Sequence, residues 1–229
     1  MRPDLARRAV AEAVGTAFLV AVVVGSGIAA QRLSPGDVGL QLFENAAATA
    51  AGLAAIIVAV GPVSGAHLNP VVSVADAVLG GLRPRDLAAY IPAQIAGGIG
   101  GAMIANLMYS LPAVTWSTKA RTGGGLWLAE VVATVGLLLV IFAMARSGRG
   151  AVAPFAVGAY IGAAYFFTSS TSFANPAVTV ARAFSDTFAG IKPFSVPAFV
   201  GFELVGGALA IALVRYLYPV PHEEISADD

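Results

Sequence analysis

Apolar residues in this chain come in long unbroken runs, without the period of a half-exposed helix or strand. Stretches near residues 9–30, 41–61, 86–109, 126–146, 151–168 and 197–218 are all of this kind. A helix that crosses a bilayer needs about 20 apolar residues, so the pattern predicts six spans. Two runs fit no whole number of spans. Between Asn45 and Ala75 the only Asp, Glu, Lys, Arg or His is His67, and between Gly150 and Ala181 there is none. Each run is too long for one span and too short for two. Each is also broken by turn chemistry, Gly61-Pro62-Val63-Ser64-Gly65 in one and Thr168-Ser169-Ser170-Thr171-Ser172 in the other. The reading is a full span, a polar re-entrant loop and a half-helix. Irregular backbone survives at membrane depth only where protein or water surrounds it, which points to an aqueous pathway.

Composition agrees and narrows the field. Hydrophobic residues make up 58% of the 229 and charged residues 11%, against about 25% charged in a soluble domain. The formal net charge is zero, which gives no reason to expect a nucleic-acid partner. With no cysteine there is no disulfide or thiolate, and His67 and His222 are the only histidines; no metal set or cofactor motif stands out. The basic start, Met1 to Arg8, lacks a small-residue cleavage site, so the first apolar segment is expected to be retained. With the N-terminus inside, Arg2, Arg7, Arg8, Arg83, Arg85, Arg146, Arg149 and Arg215 lie on the cytoplasmic side. Arg32, Lys119, Arg121, Arg182 and Lys192 lie outside. Eight against five favours cytoplasmic N- and C-termini. The acidic tail after Pro221 is expected to lack fixed structure.

The two halves resemble one another. Asn69-Pro70-Val71-Val72-Ser73-Val74-Ala75-Asp76-Ala77 aligns with Asn175-Pro176-Ala177-Val178-Thr179-Val180-Ala181-Arg182-Ala183. With three residues inserted in the second half, Arg83-Pro84 falls on Lys192-Pro193, Gln94 on Glu203, and Gly97-Gly98 on Gly206-Gly207. Ala11-Glu12 opens the first span as Ala129-Glu130 opens the fourth. Three spans per half make the second copy upside down, giving one channel domain over 1–229 with repeats at about 9–115 and 126–218. Inverted repeats put the functional site near the midplane, with half-helix ends aimed at it.

Each Asn-Pro pair suits the start of a half-helix, Asn as N-cap and Pro at the first helical position. Each N-terminus carries roughly half a positive charge, so two meeting at the midplane repel protons and metal cations. The Asn69 and Asn175 amides can donate to a neutral solute, while the carbonyls of residues 64–68 and 170–174 supply acceptors. Donors at the centre and acceptors along the wall suit water and polyols. The plainer alternative is that Asn-Pro only starts a helix; two copies at equivalent positions favour the pore.

These residues also carry a family likeness. Ser64-Gly65-Ala66-His67-Leu68-Asn69-Pro70-Val71-Val72 resembles the first signature of the aquaporins, and Asn175-Pro176-Ala177 the second; Glu12, Gln94 and Glu130 match further family positions. The resemblance covers about residues 9–218. It implies an all-α membrane bundle of six helices with two re-entrant half-helices, assembled in the lipid as a homotetramer with one pore per subunit. It also implies that Glu12 and Glu130 brace the loops, and that His67 lines the inner pore. Glu203, the partner of Gln94, is less expected: a third brace, a protonated acid, or a side chain facing a neighbouring subunit.

The family's narrowest point carries over to Thr49, Ala163, Ser172 and Val178. Val178 stands where an arginine is usual, and no position of the four is aromatic or charged. The expectation is a wider, less polar constriction, with Val71 slightly narrowing or drying the centre. Arg182, about 6 Å further out on the same half-helix, is either a displaced part of the constriction or a vestibule charge paired with Asp186 at i+4.

The run Ser170-Thr171-Ser172-Phe173-Ala174-Asn175-Pro176-Ala177-Val178, continuing to Asp186-Thr187-Phe188-Ala189-Gly190, is similar to a bacterial subgroup associated with arsenic-resistance gene clusters. That implies a channel in the cell's inner membrane for arsenous acid, polyols and water. An ordinary water or glycerol channel is the alternative within the class. An ion-coupled secondary transporter, with Glu12, Glu130 and Glu203 as a relay, is the alternative from another class.

Overall fold

The structure, a computed structural model, describes residues 3–219; the acidic tail and His222 lie outside the described residues. Eight α-helices follow in order: α1 (Leu5–Leu33), α2 (Val38–Ser64), α3 (Pro70–Leu79), α4 (Leu87–Met108), α5 (Gly124–Arg146), α6 (Ala153–Phe167), α7 (Pro176–Ala181) and α8 (Val196–Leu217). Six of them, some extended by a 3₁₀ turn, are long and apolar enough to cross a membrane, and no strand occurs among the described residues. The short helices α3 and α7 are the two half-helices.

Local chemistry sets the boundaries. The Asp4 carboxylate accepts from Arg7 N at 2.8 Å, and Asp37 accepts from Leu40 N at 2.9 Å, capping α1 and α2. Gly65 closes α2, and Gly80 closes α3, both at φ +93°, a conformation that costs glycine little. Asn69 and Asn175 are the N-caps of α3 and α7, each followed by proline at the first helical position.

Packing in the two halves follows one scheme. Helix α1 lies on α2 and α4, and α5 on α6 and α8; α3 packs on α8 and α7 on α4. The α1–α4 crossing is close because Gly97 and Gly101 face it. A Cβ at either would come within 2.1 Å of the carbonyl oxygen of Ala13 or Ala17. Small residues four apart allow such contact between helices in lipid, where no hydrophobic force drives them together.

Candidate channel and its constriction

The two re-entrant loops have matching backbones. Gly65, Ala66 and Leu68 have positive φ, and so do Thr171, Ser172 and Ala174, at the same offsets from Asn69 and Asn175. For residues with a Cβ the left-handed region costs roughly 1–2 kcal/mol each, so five residues hold strain. Two glutamates compensate. Glu12 Oε1 accepts from Ser64 Oγ (2.6 Å) and His67 N (3.0 Å), and its Oε2 from Leu68 N (2.6 Å) and Gln94 Nε2 (2.8 Å). Glu130 accepts from Phe173 N (3.1 Å) and Ala174 N (2.7 Å). Both are fully buried.

Asn69 Nδ2 donates to Ala174 O (2.7 Å), and Asn175 Nδ2 donates to Leu68 O (2.8 Å). Each asparagine thus ties the opposite loop, while its Oδ1 caps its own half-helix, accepting from Val71 N or Ala177 N. Every amide nitrogen keeps a second hydrogen. Leu68 and Ala174 carbonyls are taken by these cross-ties, Ser64 O by Tyr90 and Ser170 O by Arg121. The acceptor ladder is therefore shorter than residues 64–68 and 170–174 suggest.

A cavity of about 290 Å³ runs past both asparagines. His67 and Asp76 line one end, and Arg182 and Phe173 the other. One wall is apolar, including Leu53, Ile57, Leu137, Ile141 and Val157. The His67 ring is held by Ser73 Oγ (3.1 Å) and by Asp76 Oδ2, 3.3 Å from Nε2.

Of the four residues expected at the narrowest point, Thr49, Ser172 and Val178 line the cavity. Ala163 does not: it is exposed on the outer face of α6. The residues of α6 that line the cavity are Ala153, Val157, Ile161 and Tyr165, one helical face. Tyr165 brings an aromatic ring, and its hydroxyl sits 3.2 Å from Thr49 Oγ1. Ser172 Oγ is buried with no partner.

Arg182 also differs from one expectation. Asp186 is engaged by the backbone N of Thr118 at 2.8 Å and by its hydroxyl, not by Arg182. Arg182 Nε instead donates to Ala189 O, its guanidinium lies 3.4 Å from the Phe173 ring centroid, and it lines the cavity. The constriction expected to hold neither aromatic nor charge has both close by. Sequence reasoning missed Tyr165 because α6 is apolar on every side, so no period marks its inward face.

Pro70, Val71, Pro176 and Ala177 are buried and do not line the cavity. Val71 therefore does not narrow the centre; a Cβ on Gly207 would come within 2.5 Å of its Cγ1. Glu203 is fully buried and accepts from Thr179 Oγ1 at 2.5 Å, so it does not face another subunit. Gln94 meets Ser73 Oγ at 2.9 Å in the matching place.

Six spans, two half-helices tied tip to tip and a cavity through their meeting point define a membrane channel. The major intrinsic protein family model matches residues 1–174, and this chain belongs to that family, whose members are channels rather than enzymes. It is 53% identical over 214 residues to the aquaglyceroporin AqpS of Rhizobium meliloti, covering 93% of this chain and 91% of that one. It is 31% identical over 260 residues to a glycerol uptake facilitator protein of Pseudomonas aeruginosa, covering 94% and 91%. The X-ray structure of the aquaglyceroporin from Plasmodium falciparum shares the fold at a TM-score of 0.71 and 20% identity, covering 94% of this chain and 96% of that one.

Proposed function

We propose that the protein is a passive facilitator for neutral hydroxyl compounds of about glycerol size, with arsenous acid its favoured cargo and water also passing. The observation that carries this is the two-sided cavity. Asn69, Asn175 and residues of the two re-entrant loops line one side, and branched aliphatic side chains the other. A polyol carries hydroxyls on one face and carbon on the other, and arsenous acid presents three hydroxyls. Glycerol-handling relatives by name support the polyol half of the reading.

In this reading the constriction consists of Thr49, Tyr165, Ser172 and Val178, with Arg182 supplying donors just outside. The unpaired Ser172 hydroxyl offers a bond to the passing solute. Glu12 and Glu130 act as braces rather than as a proton relay, because their oxygens are occupied by loop N–H groups. The channel works as a homotetramer in the inner membrane, with both termini cytoplasmic.

The test is stopped-flow light scattering on proteoliposomes with water, glycerol and arsenous acid. Rapid entry of the two larger solutes, independent of a proton gradient, is the expected result. Water flux with the larger solutes excluded refutes the cargo, and gradient-dependent flux refutes the channel.

A further inference from the structure

The outer mouth gathers three cations that make no ion pair. Among the described residues, no carboxylate lies within ion-pair distance of Lys119, Arg121 or Arg182. Arg121 comes from the connection between α4 and α5 and is 8% exposed, yet it does not line the cavity. Its Nε donates to Gly190 O at 3.0 Å, its Nη1 to Ser170 O at 3.3 Å, and its backbone N to Ser195 Oγ at 3.1 Å. Its guanidinium lies 4.9 Å from the Phe173 ring centroid.

Phe173 is thus contacted by two guanidinium groups, Arg121 and Arg182, and packs edge-on against Phe199 at 5.1 Å. The neighbouring carbonyls of Ala189 and Gly190 each hold one of the two arginines. Removing Arg121 would free the turn at 189–190 and one contact on the ring against which Arg182 rests. Guanidinium groups favour aromatic faces and carbonyl forks because they are planar and weakly hydrated. An ammonium at position 121 would keep the charge but lose the two-point hold.

We infer that Arg121 is a positioning residue for selectivity: through Phe173 and the 189–190 turn it sets Arg182 at the pore mouth, and its own charge adds to the barrier. The pair does the work of the guanidinium that Val178 lacks, excluding protons and metal cations while neutral solutes pass. This rests on the reading of Arg182 as part of the outer constriction. Burial pushes the Arg121 guanidinium down to about 10, so it stays charged at neutral pH.

The experiment measures, in the same proteoliposomes, proton and potassium leak under an imposed potential together with glycerol entry, for the parent, Arg182→Gln, Arg121→Gln and Arg121→Lys. A unit charge within about 10 Å of the path changes a cation's passage by roughly three- to tenfold. The ratio of cation leak to glycerol flux should rise by about that factor in Arg182→Gln and in Arg121→Gln. The double substitution should give less than the product of the two, because one acts partly through the other. Arg121→Lys should fall between parent and Arg121→Gln, and it tests the idea if the glutamine variant does not fold. A higher ratio in Arg182→Gln with no change in the Arg121 variants overturns the role of Arg121 alone. No change in Arg182→Gln overturns the outer constriction itself. Equal changes in leak and glycerol flux at position 121 would mean a merely structural residue, and would also overturn the inference.

Discussion

Glu12→Gln changes one oxygen and almost no volume in a side chain that accepts four hydrogen bonds. Its consequences can be followed atom by atom. If the new amide nitrogen replaces Oε2, it faces Leu68 N–H and the Gln94 amide. Gln94 can turn its unpaired Oε1 toward the newcomer, but the Leu68 N–H cannot turn. If the nitrogen replaces Oε1, Ser64 Oγ can switch to accepting, but the His67 N–H is left facing a donor. Either way one buried backbone donor loses its partner inside a strained loop. A hydrogen bond to a charged group contributes about 1.5–3 kcal/mol, and stranding the donor costs about 1–3 kcal/mol more. The sum, roughly 2.5–6 kcal/mol, is a large part of a typical stability of about 5–15 kcal/mol. For a chain of this length that is a drop of about 10 °C in the unfolding midpoint. Thermal unfolding in detergent, followed by circular dichroism, measures it. Glycerol flux in liposomes should fall as well, since His67, Leu68 and the Asn69 cap move with the loop. A midpoint within about 2 °C of the parent, with unchanged flux, would refute the claim that Glu12 holds this loop.

Val178→Arg should lower glycerol and arsenous acid flux far more than water flux in stopped-flow assays; an unchanged ratio would show that residue 178 is not at the constriction. Gly207→Ala should destabilise the protein by about 1–3 kcal/mol through overpacking against Val71, and Val71→Ala in the same chain should recover most of that. Purely additive losses in the double variant would mean that the two sites do not touch. The Lys119 ammonium, held by Phe188 O at 2.9 Å, is pushed down from 10.5 to about 8, first by burial and then by Arg121 and Arg182. Its charge is therefore present below pH 8 and lost above it. Raising external pH from 7 to 9 should increase cation leak by a few-fold, and Lys119→Gln should flatten that step; a step that survives in Lys119→Gln belongs to another group.

Much of this molecule could be read from the order of its residues. Apolar runs fix membrane spans because each backbone polar group in lipid must be satisfied within its own helix, and no distant contact is needed to see it. The paired Asn-Pro signals are local too, since an N-cap and a proline at the first helical position act within one turn. So the six spans, the half-helices and the two asparagines were visible in the sequence. Which side chains meet at the pore was not. An all-apolar helix has no marked face, so only packing of α6 against α2 and α5 could decide that Ile161 and Tyr165, rather than Ala163, turn inward. An offset of two residues in a helix is a rotation of about 200°, enough to exchange a pore wall for a lipid face. Charge partners were likewise undetermined. The i+4 spacing of Arg182 and Asp186 presumes a continued helix, whereas α7 ends at Ala181 and tertiary contacts send the two to Ala189 and Thr118. Spacing determines what a chain can reach within a turn or two; beyond that, the choice among partners is made by the packed structure.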